Sequence, residues 1–232
     1  MANGKLSYRD IFYSTRDKRL LKKWINDSDY VVKRLIARNP NLTREHFLLL
    51  VDDSAATVRQ NLASNESIDI DLLLILSKDY NSDVRGCSTF NNKLPINRLN
   101  ELAIDQSSYT RAYVASNTRL NKILLKKLST DESPMVRKNV AANISCSTEI
   151  LSSLITDKSD QIRMNAGRNP STAGKDLEIL ASDEKWGVKM SVLNNKNVNE
   201  RSLAILATDS DQWLKNRAIK LLPEDSKYRV LI

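Results

Sequence analysis

Eight aspartates recur at intervals of 26 residues in this 232-residue chain: Asp27, Asp53, Asp79, Asp105, Asp131, Asp157, Asp183 and Asp209. Six positions after each stands a base, in order Lys33, Arg59, Arg85, Arg111, Arg137, Arg163, Lys189 and Lys215. Two chemistries suit such a ladder. A row of unneutralised cations tracks a phosphate backbone. A row in which every cation travels with a carboxylate makes charge-assisted hydrogen bonds along a stack instead. Here each base has its acid, so the ladder reads as scaffold, with about 0–1 kcal/mol expected per pair if the pairs are exposed.

Catalytic groups are sparse. His46 is the only histidine, and its column otherwise reads Leu72, Arg98, Leu124, Ile150, Asp176 and Ser202, so a partly exposed helical position is expected. The close carboxylates, Asp52 with Asp53 and Asp69 with Asp71, are explained as turn and cap residues. No glycine-rich phosphate loop, zinc-type His/Cys cluster or nucleophile elbow is present. Cys87 and Cys146 fall two repeats apart, too far for a disulfide, and are expected as reduced, mostly packed thiols. The expectation is a chain without cofactor or metal that is not an enzyme.

The positions that hold the ladder follow from the same period. After the potential N-caps Thr43, Asp69, Asn121, Ser147 and Asn199, apolar residues fall three apart, as in Leu125 and Leu128. That spacing puts them on one face of a first helix of some eight to ten residues. The Asp column opens a turn, and a second helix starts after Ser133 with Pro134 at its first position. Its core face is Val136, Val140 and Ala141, and the Val58 and Ala63 columns match it. A third column, Asn39, Asn65, Asn91, Asn117, Asn143, Asn169 and Asn195, ends the second helix; only Leu221 breaks it. Asparagine tolerates the left-handed conformation of a C-terminal cap, so that role is expected. Helices this short are marginal alone, and each repeat buries its apolar face only against its neighbours. The predicted fold is an all-α solenoid of about eight two-helix repeats. Residues 1–19 form an N-terminal basic cap, 20–222 one continuous array, and 223–232 a C-terminal cap.

The succession Asp, Val-Arg, Ala-x-Asn and Leu-x-x-Leu resembles the leucine-rich variant repeat, and the spacing of six from Asp to Arg is also that of HEAT repeats. The resemblance covers residues 20 to 222. It implies a right-handed superhelix in which one helical layer can be a tighter 3₁₀ helix. One arrangement in that family adds a cysteine-ligated iron–sulfur module at the amino terminus; this chain has no cysteine before Cys87, so that part does not carry over. HEAT-like units also build some DNA glycosylases, which keeps a glycosylase as a remote alternative.

If the ladder neutralises itself, binding falls to the irregular positions. On the second helices these include Arg34, Arg38, Phe90, Tyr113, Lys138, Met164, Arg168, Met190 and Lys220, with Tyr30, Tyr109, Trp186 and Trp213 at helix starts. The alternative is that such residues merely cover loops and layer edges. The net charge of +8 is uneven: residues 1–50 carry eleven Lys and Arg against five Asp and Glu. Arg9, Arg16, Lys18, Arg19, Lys22, Lys23, Lys33, Arg34, Arg38 and Arg44 are interleaved there with Tyr8, Tyr13, Trp24 and Tyr30, a composition that suits phosphate contacts and base stacking as well as a solubilising end cap. The leading expectation is a protein partner along the concave face. Nucleic acid at the basic amino-terminal end is the alternative. No apolar run reaches the roughly 20 residues of a membrane span, and the start lacks a secretory signal core. A cytoplasmic monomer is expected.

Overall fold

The computed structural model describes residues 12–231, and their secondary structure is helical. Tyr8 and Arg9 of the basic cluster, and most of the expected 1–19 cap, lie outside the described residues. The chain divides into two compact units, 1–114 and 115–232. In the first, helices alternate as α1 (Lys18–Ile25), α2 (Tyr30–Ile36), α3 (Arg44–Leu50), α4 (Ala56–Ala63), α5 (Ile70–Leu76), α6 (Ser82–Ser88), α7 (Ile96–Leu102) and α8 (Ser108–Ala115). In the second follow α9 (Lys122–Leu128), α10 (Pro134–Ala142), α11 (Thr148–Leu154), α12 (Asp160–Arg168), α13 (Gly174–Ala181), α14 (Trp186–Leu193), α15 (Glu200–Ala207) and α16 (Gln212–Leu221). Odd-numbered helices are the first of each repeat and even-numbered helices the second. Second helices pack on second helices, as α4 does on α6 and α12 on α14. Each unit is therefore a stack of α-solenoid repeats.

Both layers are α-helical, with i to i−4 bonds such as Leu73 N–H to Asp69 O at 3.0 Å and Ser77 N–H to Leu73 O at 2.8 Å. Tighter i to i−3 bonds occur at the helix ends, as from Asp79 N–H to Leu76 O. The 3₁₀ segment among the described residues is Lys227–Leu231, after the last α-helix. There the Arg229 guanidinium donates to Pro223 O and Leu222 O, both at 2.9 Å. Those carbonyls follow the end of α16, where Leu221 interrupts the asparagine column.

The core is formed by the repeating apolar columns. Leu73, Leu99, Leu125 and Leu151 on first helices, and Val58, Val84, Val136 and Ile162 on second helices, are fully buried. Each such side chain contributes about 1.5–3 kcal/mol. That is more than the roughly 0.5–1.5 kcal/mol net of one hydrogen bond, so the polar columns select the register of a stack that apolar burial holds together.

The asparagine column works differently from the expectation. No described residue other than glycine has a positive φ, and Asn143 (φ −71°, ψ 121°) and Asn169 (φ −67°, ψ 128°) are extended rather than left-handed. These side chains reach back one repeat. Asn169 Nδ2 donates to Ala141 O and Asn143 O, both at 2.9 Å, while its Oδ1 accepts from Ser171 N–H at 2.9 Å. Asn65, Asn91, Asn143 and Asn195 make the same set. Buried carbonyls at a helix end require donors, and a planar amide supplies two donors and one acceptor from one side chain.

His46 also departs from expectation. It is buried, 7% exposed, because its ring folds back so that Nδ1 accepts from Thr43 N–H at 3.1 Å and caps α3. Burial lowers its pKa, with Lys18 adding to the effect against Glu45.

Candidate functional site

The charge ladder joins successive repeats. Six of the bases pair with the aspartate 20 residues ahead: Lys33 with Asp53 at 2.9 Å, Arg59 with Asp79 at 2.7 Å and Arg85 with Asp105 at 2.7 Å in the first unit. In the second unit Arg137 meets Asp157 at 2.7 Å, Arg163 meets Asp183 at 2.6 Å and Lys189 meets Asp209 at 2.5 Å. Nη1 of each arginine turns back to its own repeat, as Arg59 does to Asp53 O and Ser54 O, and Arg111 to Asp105 O and Gln106 O. The aspartates are also Asx turns: Asp131 Oδ1 accepts from Ser133 N–H at 2.9 Å, the residue before α10. These are not exposed pairs, since the Arg59 and Asp79 side chains are only 4% and 7% exposed. The magnitude for surface ion pairs does not apply to them.

Burial works against the charges of Asp105, Asp157, Asp183 and Asp209. The hydrogen bonds from Arg85, Arg137, Arg163 and Lys189 and from the turn N–H groups outweigh it, leaving each carboxyl below its ordinary value of 3.8. A depressed folded value means stability that is present above the unfolded pKa and lost as pH falls through the folded one. Thermal melts followed by circular dichroism should therefore hold their midpoint near neutrality and drop steeply below about pH 4. A midpoint that rises on acidification would contradict this linkage.

With the ladder consumed, the side chains left facing outward on the second helices define the candidate site. In the first unit a cavity of about 610 Å³ is lined by Phe12, Tyr13, Arg34, Leu35, Arg38, Thr57, Gln60 and Asn61. Its residues come from α2 and the turn after it, which holds Arg38, from α4, and from the segment before α1. Arg38 Nε–H donates to Asn61 Oδ1 at 3.0 Å, and Asn61 Nδ2 in turn donates to Arg34 O at 2.7 Å. Among the described residues neither arginine has a carboxylate partner.

Farther along the same unit, Phe90 and Tyr113 meet edge to face with ring centroids 5.6 Å apart. Gly86 makes room for this, because a Cβ there would run into the Tyr113 ring. Burial raises the Tyr113 phenol pKa, with Cys87 and Asp83 adding to the effect. Burial also raises the Cys87 thiol pKa. Gly86→Ala is expected to push the Tyr113 ring off Phe90 and to destabilise the fold by about 1–3 kcal/mol through overpacking. Thermal melts and the Tyr113 ring resonances read this, and unshifted ring signals would contradict it.

The structure separates the other sequence candidates. Arg16, Lys18, Arg19, Lys22 and Lys23 are exposed on or just before α1, in the first-helix layer, and none lines the Arg34–Arg38 cavity. Lys138 and Arg168 belong to the 115–232 unit, on α10 and α12, where Asn165 Nδ2 donates to Lys138 O at 3.2 Å. Trp186 and Trp213, each about half exposed, stand in the same unit with ring centroids 5.8 Å apart. Gln60 and Asn61 were missed by sequence reasoning. The signal that could have found Asn61 is its recurrence on the 26-residue period at Asn139 and Asn165.

Among solved structures the chain is similar to a leucine-rich repeat variant with a repetitive structural motif, at 23% identity and a TM-score of 0.62, over 87% of this chain and 80% of that one. It is also similar to the E. coli protein YibA, at 16% identity and a TM-score of 0.55, over 95% of this chain and 98% of the other. No protein-family model and no curated protein sequence matches it. At these identities the likeness is one of fold: the chain has a leucine-rich-variant, HEAT-like helical repeat fold. No helix of the described residues is long and apolar enough to cross a membrane.

Proposed function

We propose that the chain is a non-catalytic helical-repeat scaffold that holds a protein partner along its second-helix face. One observation carries this reading: the regular polar columns are spent inside the stack, whereas the irregular residues on and just after the second helices, Arg38 and Phe90 in the turns that follow α2 and α6 among them, stay available. Arg38 and Phe90 in the first unit and Trp186 and Trp213 in the second are exposed at positions where the repeat demands nothing. Exposed aromatics and arginines are the groups that dominate protein interfaces. The test is capture of a partner from the native cell with and without nuclease. Capture should survive nuclease, and it should weaken by at least about tenfold when Phe90 and Tyr113, or Trp186 and Trp213, become alanine.

A second reading is nucleic-acid binding at α1. It is favoured by Lys18, Arg19, Lys22 and Lys23, exposed together and without ion pairs among the described residues. It requires a steep fall of affinity with salt. Loss of capture on nuclease treatment, or on reversing these four charges, would put this reading ahead of the first.

A further inference from the structure

We infer that the second-helix face of the 1–114 unit takes an extended acidic segment of a partner protein, with a carboxylate held by Arg34 and Arg38 and an apolar side chain seated on Phe90 and Tyr113. The inference rests on the proposal that this face binds protein.

Charge complementarity is the first support. In this unit the ladder cations Lys33, Arg59 and Arg85 are neutralised by Asp53, Asp79 and Asp105. Arg34 and Arg38 are not, among the described residues, although both line the same 610 Å³ space. Arg38 is also oriented in advance. Its Nε–H is tied to Asn61 Oδ1 at 3.0 Å, and Asn61 is itself anchored to Arg34 O at 2.7 Å, so the two Nη groups form a fork with no partner among the described residues. A guanidinium held in this way matches a carboxylate in two-pronged geometry and loses little freedom on binding. Gln60, also in the lining, keeps a side-chain amide without a partner among the described residues, suited to a main-chain amide.

The surroundings then separate a peptide from a polyphosphate. Residues 51–114 carry six Lys and Arg against nine Asp and Glu, so the basic character ends within the first repeats. Asp83 adds to the effect of burial in raising the Tyr113 pKa, which puts a carboxylate near the aromatic pair, whereas at Cys87 its effect is opposed by Arg38. A chain with a charge at every phosphate would be repelled there, whereas a segment acidic at one point and apolar farther on would not.

The geometry fixes the spacing of such a segment. Arg38 and Phe90 occupy the same column two repeats apart. Packed helices are separated by about 8–10 Å, and an extended chain advances about 3.3 Å per residue. The acidic and apolar side chains therefore stand about five or six residues apart.

Selection of random twelve-residue peptides displayed on phage against the full chain tests this. The recovered peptides should carry Asp or Glu with Phe, Tyr, Trp or Leu at that spacing. In fluorescence anisotropy with a recovered peptide, the Arg34→Glu/Arg38→Glu chain, checked for unchanged helicity, should bind at least about tenfold more weakly. The same peptide with its acid replaced by lysine should recover binding to the reversed chain. Peptides without an acidic preference, or insensitive to the reversal, overturn the inference; if Phe90→Ala/Tyr113→Ala still weakens them, protein binding at this face stands. If no peptide is recovered, the inference falls. If an oligo-dT or oligo-U dodecamer then binds through Arg34 and Arg38, the protein-binding reading of this face falls with it.

Discussion

Asn169→Ala is expected to destabilise the fold by about 3–5 kcal/mol, far more than a surface asparagine would. The side chain is 3% exposed and makes three hydrogen bonds, to Ala141 O, to Asn143 O and from Ser171 N–H. Alanine removes both donors from carbonyls that water does not reach, and an unsatisfied buried polar group costs about 1–3 kcal/mol by itself. Asn169→Asp is the sharper control. It keeps the acceptor for Ser171 and the shape of the side chain, but it turns two donors into acceptors facing carbonyl oxygens. It should be at least as damaging as alanine. Urea denaturation followed by circular dichroism reads both, and a loss below about 1 kcal/mol for either would mean that the interlayer amides are dispensable.

Arg59→Ala is the second large effect, expected at about 3–5 kcal/mol. Its guanidinium donates to both Asp79 oxygens, at 2.7 and 3.0 Å, and to Asp53 O and Ser54 O, with the Tyr80 ring 4.6 Å from its centre. The single substitution strands the Asp79 carboxylate with its charge and frees two carbonyls. Replacing both partners by apolar residues, Arg59→Met with Asp79→Leu, should recover part of the loss, because no buried charge is then left alone. Arg44 provides the contrast. It sits 2.6 Å from Asp71 with side chains 53% and 54% exposed, and although this contact lowers the Asp71 pKa to about 2, solvent screens the pair. Arg44→Ala should leave the denaturation midpoint where it was. Equal losses at Arg59 and Arg44 would show that burial does not set the strength of these pairs.

The period of 26 was legible because stacking makes the same demand at the same place in every repeat. Leucine at 73, 99, 125 and 151 and valine at 58, 84 and 136 recur for that reason, and they locate both helices and the core. The partners were harder to read. An asparagine just past a helix looks like a local cap, because sequence displays neighbours along the chain; the carbonyls that Asn169 serves lie 26 and 28 residues away. The charge ladder was the exception: bonding between an acid of one layer and a base of the next was legible from the shared period, and Arg59 does join the aspartate 20 residues ahead, in the next repeat. His46 was misread because its column holds leucine, arginine and serine, so nothing in it marks a ring that turns back on Thr43. At the candidate site the individual residues Arg34, Arg38, Phe90 and Tyr113 were readable as irregularities. Their grouping was not, since the contact of Phe90 with Tyr113 spans 23 residues and is not a multiple of the repeat.

The amide donors of Asn195 serve main-chain oxygens, of Gly167 and Asn169, and main-chain oxygens are alike whatever side chain they carry. Excising residues 144–169, one full period, would bring Asn195 to bear on Ala141 and Asn143 and would hand Arg137 the carboxylate of Asp183 in place of Asp157. A cut that is not a whole number of periods would leave those donors facing the wrong atoms. The join between tiers is thus indifferent to how many tiers there are, so insertion or loss of whole periods can lengthen or shorten the readable surface without new bonding chemistry.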